Sequence, residues 1–392
     1  MTATATHRIG LTRLTTLIAG RATFRVMLYG SAALLALAWS RADFGAYAAV
    51  MGAVGWLCMV VQSGTEKAAL KLIPRARRTR DQLAGMLRAL VAYVPLPATA
   101  AAVVALALAP RHPVTLYLLG IAYYVALGCG MLGVALHRAL GRYARDTVHF
   151  AVLGLGMGAM AALAFFAGVG PTGYLTGLLA LVTALNLSLL PGLPRAGRPR
   201  PGLRRVLAGT IVLMGAADVM NNAMIGTLFI ELSLSAHAGQ SGELYFVTLA
   251  WGFALSVLYT LQRIYQPQLS LRVAGGGAAG ARVLGRRMAG LAAVAGVLWL
   301  ALAGVALVQH IHGPIALGVL ALTLLPVQAL ASGATFVVEH TDPRANAKAV
   351  VAALGAVAAL GAVAIPLAGA AGAVYALGAN PLVLGLALRR SQ

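Results

Sequence analysis

The stretch Pro194–Arg205 has the sequence PRAGRPRPGLRR and lies between two long apolar parts of the chain. Three of its residues are proline, two are glycine and five are arginine. Proline and glycine interrupt helices, so we predict a basic cytoplasmic linker that continues neither flanking helix. This linker divides the chain into an N-terminal lobe, 1–193, and a C-terminal lobe, 206–392.

Both lobes consist of apolar stretches long enough to cross a membrane. Hydrophobic residues form 60% of the chain, charged residues only 10%, and the mean hydropathy is +0.86, whereas about a quarter of a globular domain is charged. A bilayer core of about 30 Å needs roughly 20 apolar residues per helix. We therefore predict an all-α polytopic membrane protein with six transmembrane helices in each lobe. The predicted spans are 23–40, 44–63, 89–109, 114–136, 148–168, 172–192, 206–232, 243–262, 288–308, 314–335, 348–367 and 369–388.

The connections between these spans alternate between arginine-rich and nearly arginine-free. If the N-terminus is inside, only Arg41 and Arg111 of the 30 Lys and Arg residues fall outside. Basic residues near helix ends resist translocation. We therefore predict that the protein lies in the inner (cytoplasmic) membrane with both termini in the cytoplasm. The net charge of +21 is then explained by topology and by contacts with anionic lipid. We expect membrane lipids, and not nucleic acid, as partners.

The two lobes are also similar in layout. Each has a long basic inner segment after its second helix, Glu66–Arg88 in the first lobe and Arg263–Arg287 in the second. Two six-helix lobes in the same orientation imply a pseudo-two-fold axis along the membrane normal. Transporters commonly bind substrate between such repeats, so a central cavity between the lobes is predicted.

Four short segments are similar to a known family. They are DFGAYA at 43–48, KLIPRAR at 71–77, RIYQPQLS at 263–270 and GARVL at 280–284. Each resembles the corresponding part of polysaccharide-type flippases of the multidrug/oligosaccharidyl-lipid/polysaccharide (MOP) exporter superfamily. The superfamily includes O-antigen, teichoic-acid and lipid II flippases and the MATE drug exporters. The resemblance implies two lobes around a V-shaped cavity and alternating access.

The seventh predicted span contains a polar group of residues, Asp218, Asn221 and Asn222. Spacings of three and four place them on one helix face. Asp218 follows Val206 by about 18 Å along the axis, near the bilayer midplane, where an acid costs about 2.5–3.5 kcal/mol. The carboxylate and amide oxygens suit Na⁺ or H⁺ coupling. The alternative is a structural hydrogen-bonded cluster, since Asn joins membrane helices.

Three arginines at inner helix ends are candidates for substrate binding. Arg21 and Arg25 are four residues apart at the start of the first helix, and Arg263 ends the eighth. A guanidinium group binds a lipid-linked pyrophosphate through paired hydrogen bonds. The alternative is that these side chains snorkel to the interface and only set the topology.

The predicted function is a flippase that moves a polyprenyl-pyrophosphate-linked oligosaccharide across the cytoplasmic membrane. Glycosyltransferases or a polymerase of the same pathway are candidate partners. No nucleotide-binding, zinc-binding or nucleophile motif is found, so we expect a transporter without a cofactor, not an enzyme. One alternative is a MATE-like cation-coupled drug exporter. Another is a membrane glycosyltransferase with Asp43 as its acid.

The topology is tested by single cysteines in a background that lacks Cys58 and Cys129. Cysteines at Arg198 and Gly275 should react only with reagents that reach the cytoplasm. Those at His112 and Ala238 should react with impermeant reagents added outside. Clear reversal at any one position would contradict the predicted topology.

Overall fold

A computed structural model describes the chain over residues 11–73, 76, 78–195, 201–272, 277–309 and 314–390. In these ranges the regular structure is helical. Two short 3₁₀ helices lie at Leu190–Gly192 and Ala238–Gln240. The α-helices are α1 (Leu11–Ala38), α2 (Arg41–Val54), α3 (Leu57–Leu72), α4 (Arg80–Tyr93), α5 (Pro95–Leu108), α6 (Pro113–Ala139), α7 (Ala144–Ala167), α8 (Pro171–Leu189), α9 (Pro201–Leu234), α10 (Ser241–Arg272), α11 (Ala278–Val308), α12 (Pro314–Thr341), α13 (Pro343–Ala368), α14 (Ala370–Leu377) and α15 (Ala379–Arg390).

Each predicted span overlaps at least one of these helices. Among the described residues, ten helical stretches are long and apolar enough to cross a membrane. Of the two other predicted spans, 23–40 overlaps α1 up to Ala38 and 243–262 lies within α10. The prediction of an all-α polytopic membrane fold is therefore confirmed.

The second, third and twelfth predicted spans are each built from two helices. The breaks lie at Gly55–Trp56, at Val94 and at Gly378. The break at Val94 has a clear cause, because Pro95 lacks the N–H that would continue the helix and its ring crowds the preceding turn. All three breaks lie inside stretches that are long and apolar enough to cross a membrane.

The chain forms two compact units, and unit 1 comprises residues 1–40 and 60–211. Within it, α1 packs along α7 at a very short distance. A Cβ atom on Gly154 would lie only 2.9 Å from the Cα of Phe24. Small residues permit such backbone approach between membrane helices. The indole of Trp39 donates a 2.8 Å hydrogen bond to the carbonyl of Val169, which fixes the other end of α1.

Unit 2 comprises residues 41–59 and 212–392. Its α2 packs on α10 through aromatic rings. The Phe44 ring stacks on Phe246 with centroids 5.1 Å apart, and Tyr47 meets Tyr245 edge-on at 6.0 Å. These contacts explain why α2 groups with the helices of the second half of the sequence.

The two units therefore differ in their boundaries from the predicted lobes 1–193 and 206–392. One difference is at α2. The other is at the predicted linker, because α9 already begins at Pro201 and runs without a break to Leu234. Proline is well suited to the first position of a helix, where its missing N–H is not needed. Pro201 thus starts the helix that it was expected to exclude.

Candidate functional site

In the described part of unit 1, two arginines and two acidic side chains from four helices form a mostly buried network. The guanidinium of Arg138 on α6 contacts Glu66 Oε1 on α3 at 2.5 Å and Asp146 Oδ2 on α7 at 2.9 Å. The same Asp146 oxygen lies 3.3 Å from Nη2 of Arg21 on α1. Gln62 donates a 2.9 Å hydrogen bond to the second oxygen of Glu66. We call Arg21, Glu66, Arg138 and Asp146 the ionic network.

Burial makes this network a strong constraint on the helices. The side chain of Asp146 is fully buried, and those of Glu66 and Arg138 are 10% and 18% exposed. The two acids and the two arginines balance in charge. Because removal of a buried partner leaves a buried charge uncompensated, substitution of Glu66, Arg138 or Asp146 costs about 3–5 kcal/mol.

Two members of the ionic network lie at helix ends. Asp146 lies in the first turn of α7, and Arg138 in the last turn of α6. A carboxylate is favourable at the positive end of a helix and a guanidinium at the negative end. The short turn between α6 and α7 brings the two ends together. It includes Gly141 at φ 83°, a left-handed conformation that favours glycine.

Arg21, predicted to bind substrate, is the most exposed member of the ionic network. Its side chain is 35% exposed, and its guanidinium carbon lies 5.0 Å from the centre of the Phe150 ring. A cation over an aromatic face is attracted by the ring. The guanidinium is therefore held by a carboxylate and a ring, unlike a side chain that only snorkels to the interface.

The other two predicted arginines, Arg25 and Arg263, lie on different helices. Arg25 is partly buried, one turn further along α1. Arg263 belongs to α10 in unit 2, and its side chain lies outside the described residues. The structure thus brings Arg21 and Arg25 together on one helix.

The predicted ion-coupling residues lie at the centre of α9. Asp218, Asn221 and Asn222 are all partly buried. The Asn222 side-chain nitrogen donates a 2.8 Å hydrogen bond to the backbone carbonyl of Asp218, so this amide is engaged by its own helix. In the part of the chain that the structure describes, no three His, Cys, Asp or Glu side chains come together as for a metal ion.

Sequence reasoning missed Glu66, Arg138 and Asp146. One signal was present, because the chain contains only nine acidic residues. Glu66 and Asp146 both lie beside basic inner segments. An acid so close to a membrane-spanning stretch is expected to have a buried partner.

A second polar contact joins α8 to α6. The buried Asn186 side chain donates a 2.7 Å hydrogen bond to the carbonyl of Ala126, and a ring nitrogen of His137 lies 3.1 Å from the carbonyl of Leu189. Side-chain contacts to backbone carbonyls are common between membrane helices. We assign these two residues to helix packing.

Comparison with known proteins gives matches at the level of structure. No protein-family model matches the chain, and no curated protein matches it by sequence. The lipid II flippase MurJ, in an inward closed conformation, is 13% identical with a TM-score of 0.62, covering 96% of this chain and 87% of that chain. An inward-facing multidrug resistance MATE family transporter of the MOP superfamily is 13% identical with a TM-score of 0.60, covering 95% and 96%. A mutant of the Vibrio cholerae MATE transporter VcmN is 12% identical with a TM-score of 0.59, covering 97% of each chain.

These likenesses extend over nearly the whole chain and define its fold. The protein is a multi-pass membrane protein with the fold of MOP-superfamily transporters. The three similar structures are named as a flippase or as transporters. The MOP-type fold that the short segments implied is thereby confirmed, while the V-shaped cavity and alternating access stay predictions.

The ionic network predicts a large loss of stability in Asp146→Asn. This change keeps the shape of the side chain but leaves Arg21 and Arg138 without their shared carboxylate, at a cost of about 3–5 kcal/mol. Thermal unfolding of the purified protein in detergent should show a clearly lower midpoint. Asp81→Asn is the matched control, because Asp81 is exposed. Equal midpoints for both variants would contradict a stabilising network.

Proposed function

We propose that this protein is a MOP-superfamily flippase for a polyprenyl-pyrophosphate-linked oligosaccharide. It would move this substrate from the inner to the outer leaflet of the cytoplasmic membrane by alternating access. No bond is broken in this process, so the protein needs only to shield the sugar and to hold the charged pyrophosphate. The lipid tail stays in the bilayer.

The observation that supports this substrate class is the arrangement of Arg21. Asp146 engages Nη2 only, and a guanidinium has five N–H donors. Nε and Nη1 therefore retain donors for an anion. Since Asp146 and the Phe150 ring already restrict the side chain, binding of a pyrophosphate would cost less side-chain entropy than binding by a free arginine.

Asp218 supports coupling of transport to an ion gradient. It is an acid at the centre of α9, with Asn221 and Asn222 on the same face. An ion drives the cycle only if it binds one lobe arrangement better than the other. A sodium ion or a proton at Asp218 is the proposed coupling ion.

A second candidate function is cation-coupled export of drugs. Two of the similar structures are MATE transporters, and a central acid such as Asp218 also suits a cationic substrate. The two functions are separated by one assay. Vesicles containing the purified protein are loaded either with a fluorescent lipid-linked oligosaccharide or with a fluorescent cationic drug, and only one should be moved.

The arginine hypothesis predicts graded losses of transport. Arg21→Lys, Arg25→Lys and Arg263→Lys keep the charge but lose the planar fork. Arg→Ala at the same positions should impair flipping at least as much. One charged hydrogen bond contributes about 1.5–3 kcal/mol, so we expect roughly 10- to 100-fold slower flipping in the vesicle assay.

The control for these variants is Arg390→Ala, because Arg390 is an exposed basic residue at the end of α15. It should flip substrate at the normal rate. All variants are first compared by size-exclusion chromatography to verify that they are folded. Normal flipping by all three alanine variants would mean that these arginines act only as topology signals.

The coupling hypothesis predicts that Asp218→Asn folds and inserts normally but loses dependence of transport on sodium or pH. Asn221→Ala and Asn222→Ala should weaken the apparent ion affinity without abolishing it. The measurement is substrate movement in vesicles with imposed sodium or proton gradients. If Asp218→Asn keeps the gradient dependence, Asp218 is a structural residue.

Glu231→Gln is the matched control, since Glu231 is a second acid of α9, partly buried near its end. It lies 13 residues after Asp218, or about 20 Å along the helix axis. The coupling ion should still act in this variant. Loss of gradient dependence in Glu231→Gln alone would transfer the coupling role from Asp218 to Glu231.

A further inference from the structure

A cavity of about 480 Å³ lies at the predicted cytoplasmic end of unit 1. It is formed by the end of α3, the start of α4 and the turn between α6 and α7. The lining includes Leu70, Arg80, Arg138, Leu140 and Tyr143. These side chains combine two guanidinium groups and a phenol with an apolar surface.

The charge of the lining favours an anion, because its described residues include Arg80 and Arg138 and no carboxylate. Arg138 is fixed from behind by Glu66 and Asp146. Arg80 is exposed, and no described acid forms an ion pair with it. Arg80 is therefore available to a ligand, with Arg138 as a fixed neighbour.

The surrounding backbone adds to the positive potential. Thr79, which precedes α4, makes no side-chain hydrogen bond to the first turn of that helix, and uncapped N–H groups at a helix start attract anions. Asp81 lies in the same turn but does not line the cavity. Arg142 and Arg145 donate to the backbone carbonyls of Gly192 and Ser188, which leaves their charges unneutralised.

The apolar part of the lining points to a lipid. Leu70 is 40% exposed, although it lies near the end of a helix that spans the predicted membrane. Leu140 lines the same cavity. A ligand that covers both leucines and also offers an anionic group to Arg80 has the chemistry of a phospholipid. A headgroup without a cation of its own suits two guanidinium groups better than a zwitterionic one.

We propose that this cavity binds the phosphate group of an anionic membrane phospholipid. Arg80 and the Tyr143 hydroxyl donate to the phosphate oxygens, and the glycerol and upper acyl chain lie against Leu70 and Leu140. The cavity adjoins Arg21, because its lining residue Arg138 contacts the same Asp146 oxygen, but Arg80 and Tyr143 are not among the proposed substrate residues. Failure of the flippase hypothesis would leave it unchanged, because its test measures lipid binding and not transport.

The test uses the purified full-length protein in detergent and native mass spectrometry with added phosphatidylglycerol or phosphatidylcholine. The wild type should retain phosphatidylglycerol preferentially. The variant Arg80→Gln with Tyr143→Phe should bind it at least about fivefold more weakly, since one basic residue near an anionic lipid has an effect of that order. Arg138 is left intact because the ionic network depends on it.

Arg205→Gln is the matched control, an exposed arginine on the same predicted side that does not line the cavity. It should bind phosphatidylglycerol as the wild type does. Equal losses in both variants would show a diffuse charge effect and overturn the site. Displacement of the lipid by inorganic phosphate at constant ionic strength would identify a free-anion site and overturn the assignment to a lipid.

Discussion

The structure depends on one constraint, which is that backbone N–H and C=O groups inside a bilayer have no water to bind. Helices satisfy these groups within a single segment, and the described chain is accordingly helical. At two of the interruptions between helices, a side chain supplies a hydrogen bond to the free backbone group. At Gly369 the following amide, of Ala370, donates to the Gln240 side chain at 2.8 Å. At the turn before α6, Thr115 donates to the carbonyl of Ala109 at 2.6 Å.

The same constraint explains why the spans could be predicted from sequence, whereas internal breaks without a proline could not. Apolar length alone decides whether a segment crosses, so each predicted span overlaps a helix. A break depends on local chemistry that hydropathy averages away, as at Gly55–Trp56. The grouping of α2 with α10 depends on ring contacts between Phe44 and Phe246, which are far apart in the sequence. Pro201 shows a further limit, because proline both ends helices and begins them.

Some residues of the candidate site could likewise be predicted from the sequence, and others could not. Arg21 was predicted from its position at a helix end, and the structure adds what holds it, namely Asp146 and Phe150. Asp218 was predicted because acidic residues are rare at the bilayer midplane. In the structure, its backbone carbonyl accepts a hydrogen bond from the Asn222 side chain. Glu66, Arg138 and Asp146 were not predicted. A buried ion pair forms between residues that are far apart in the sequence, and each of these residues by itself looks like part of a basic loop. A fold shared with both a flippase and drug exporters leaves the substrate to be decided by such side chains.

The order of the ionic network along the chain has a consequence for biogenesis. Arg21 and Asp146 are 125 residues apart. At about 5–20 residues per second, synthesis of that length takes roughly 6–25 s. Throughout this interval Arg21 has been synthesised while its carboxylate partner does not yet exist. Water and lipid phosphates must solvate Arg21 until α7 emerges, so α1 acquires its final packing only after the fifth predicted span has been made.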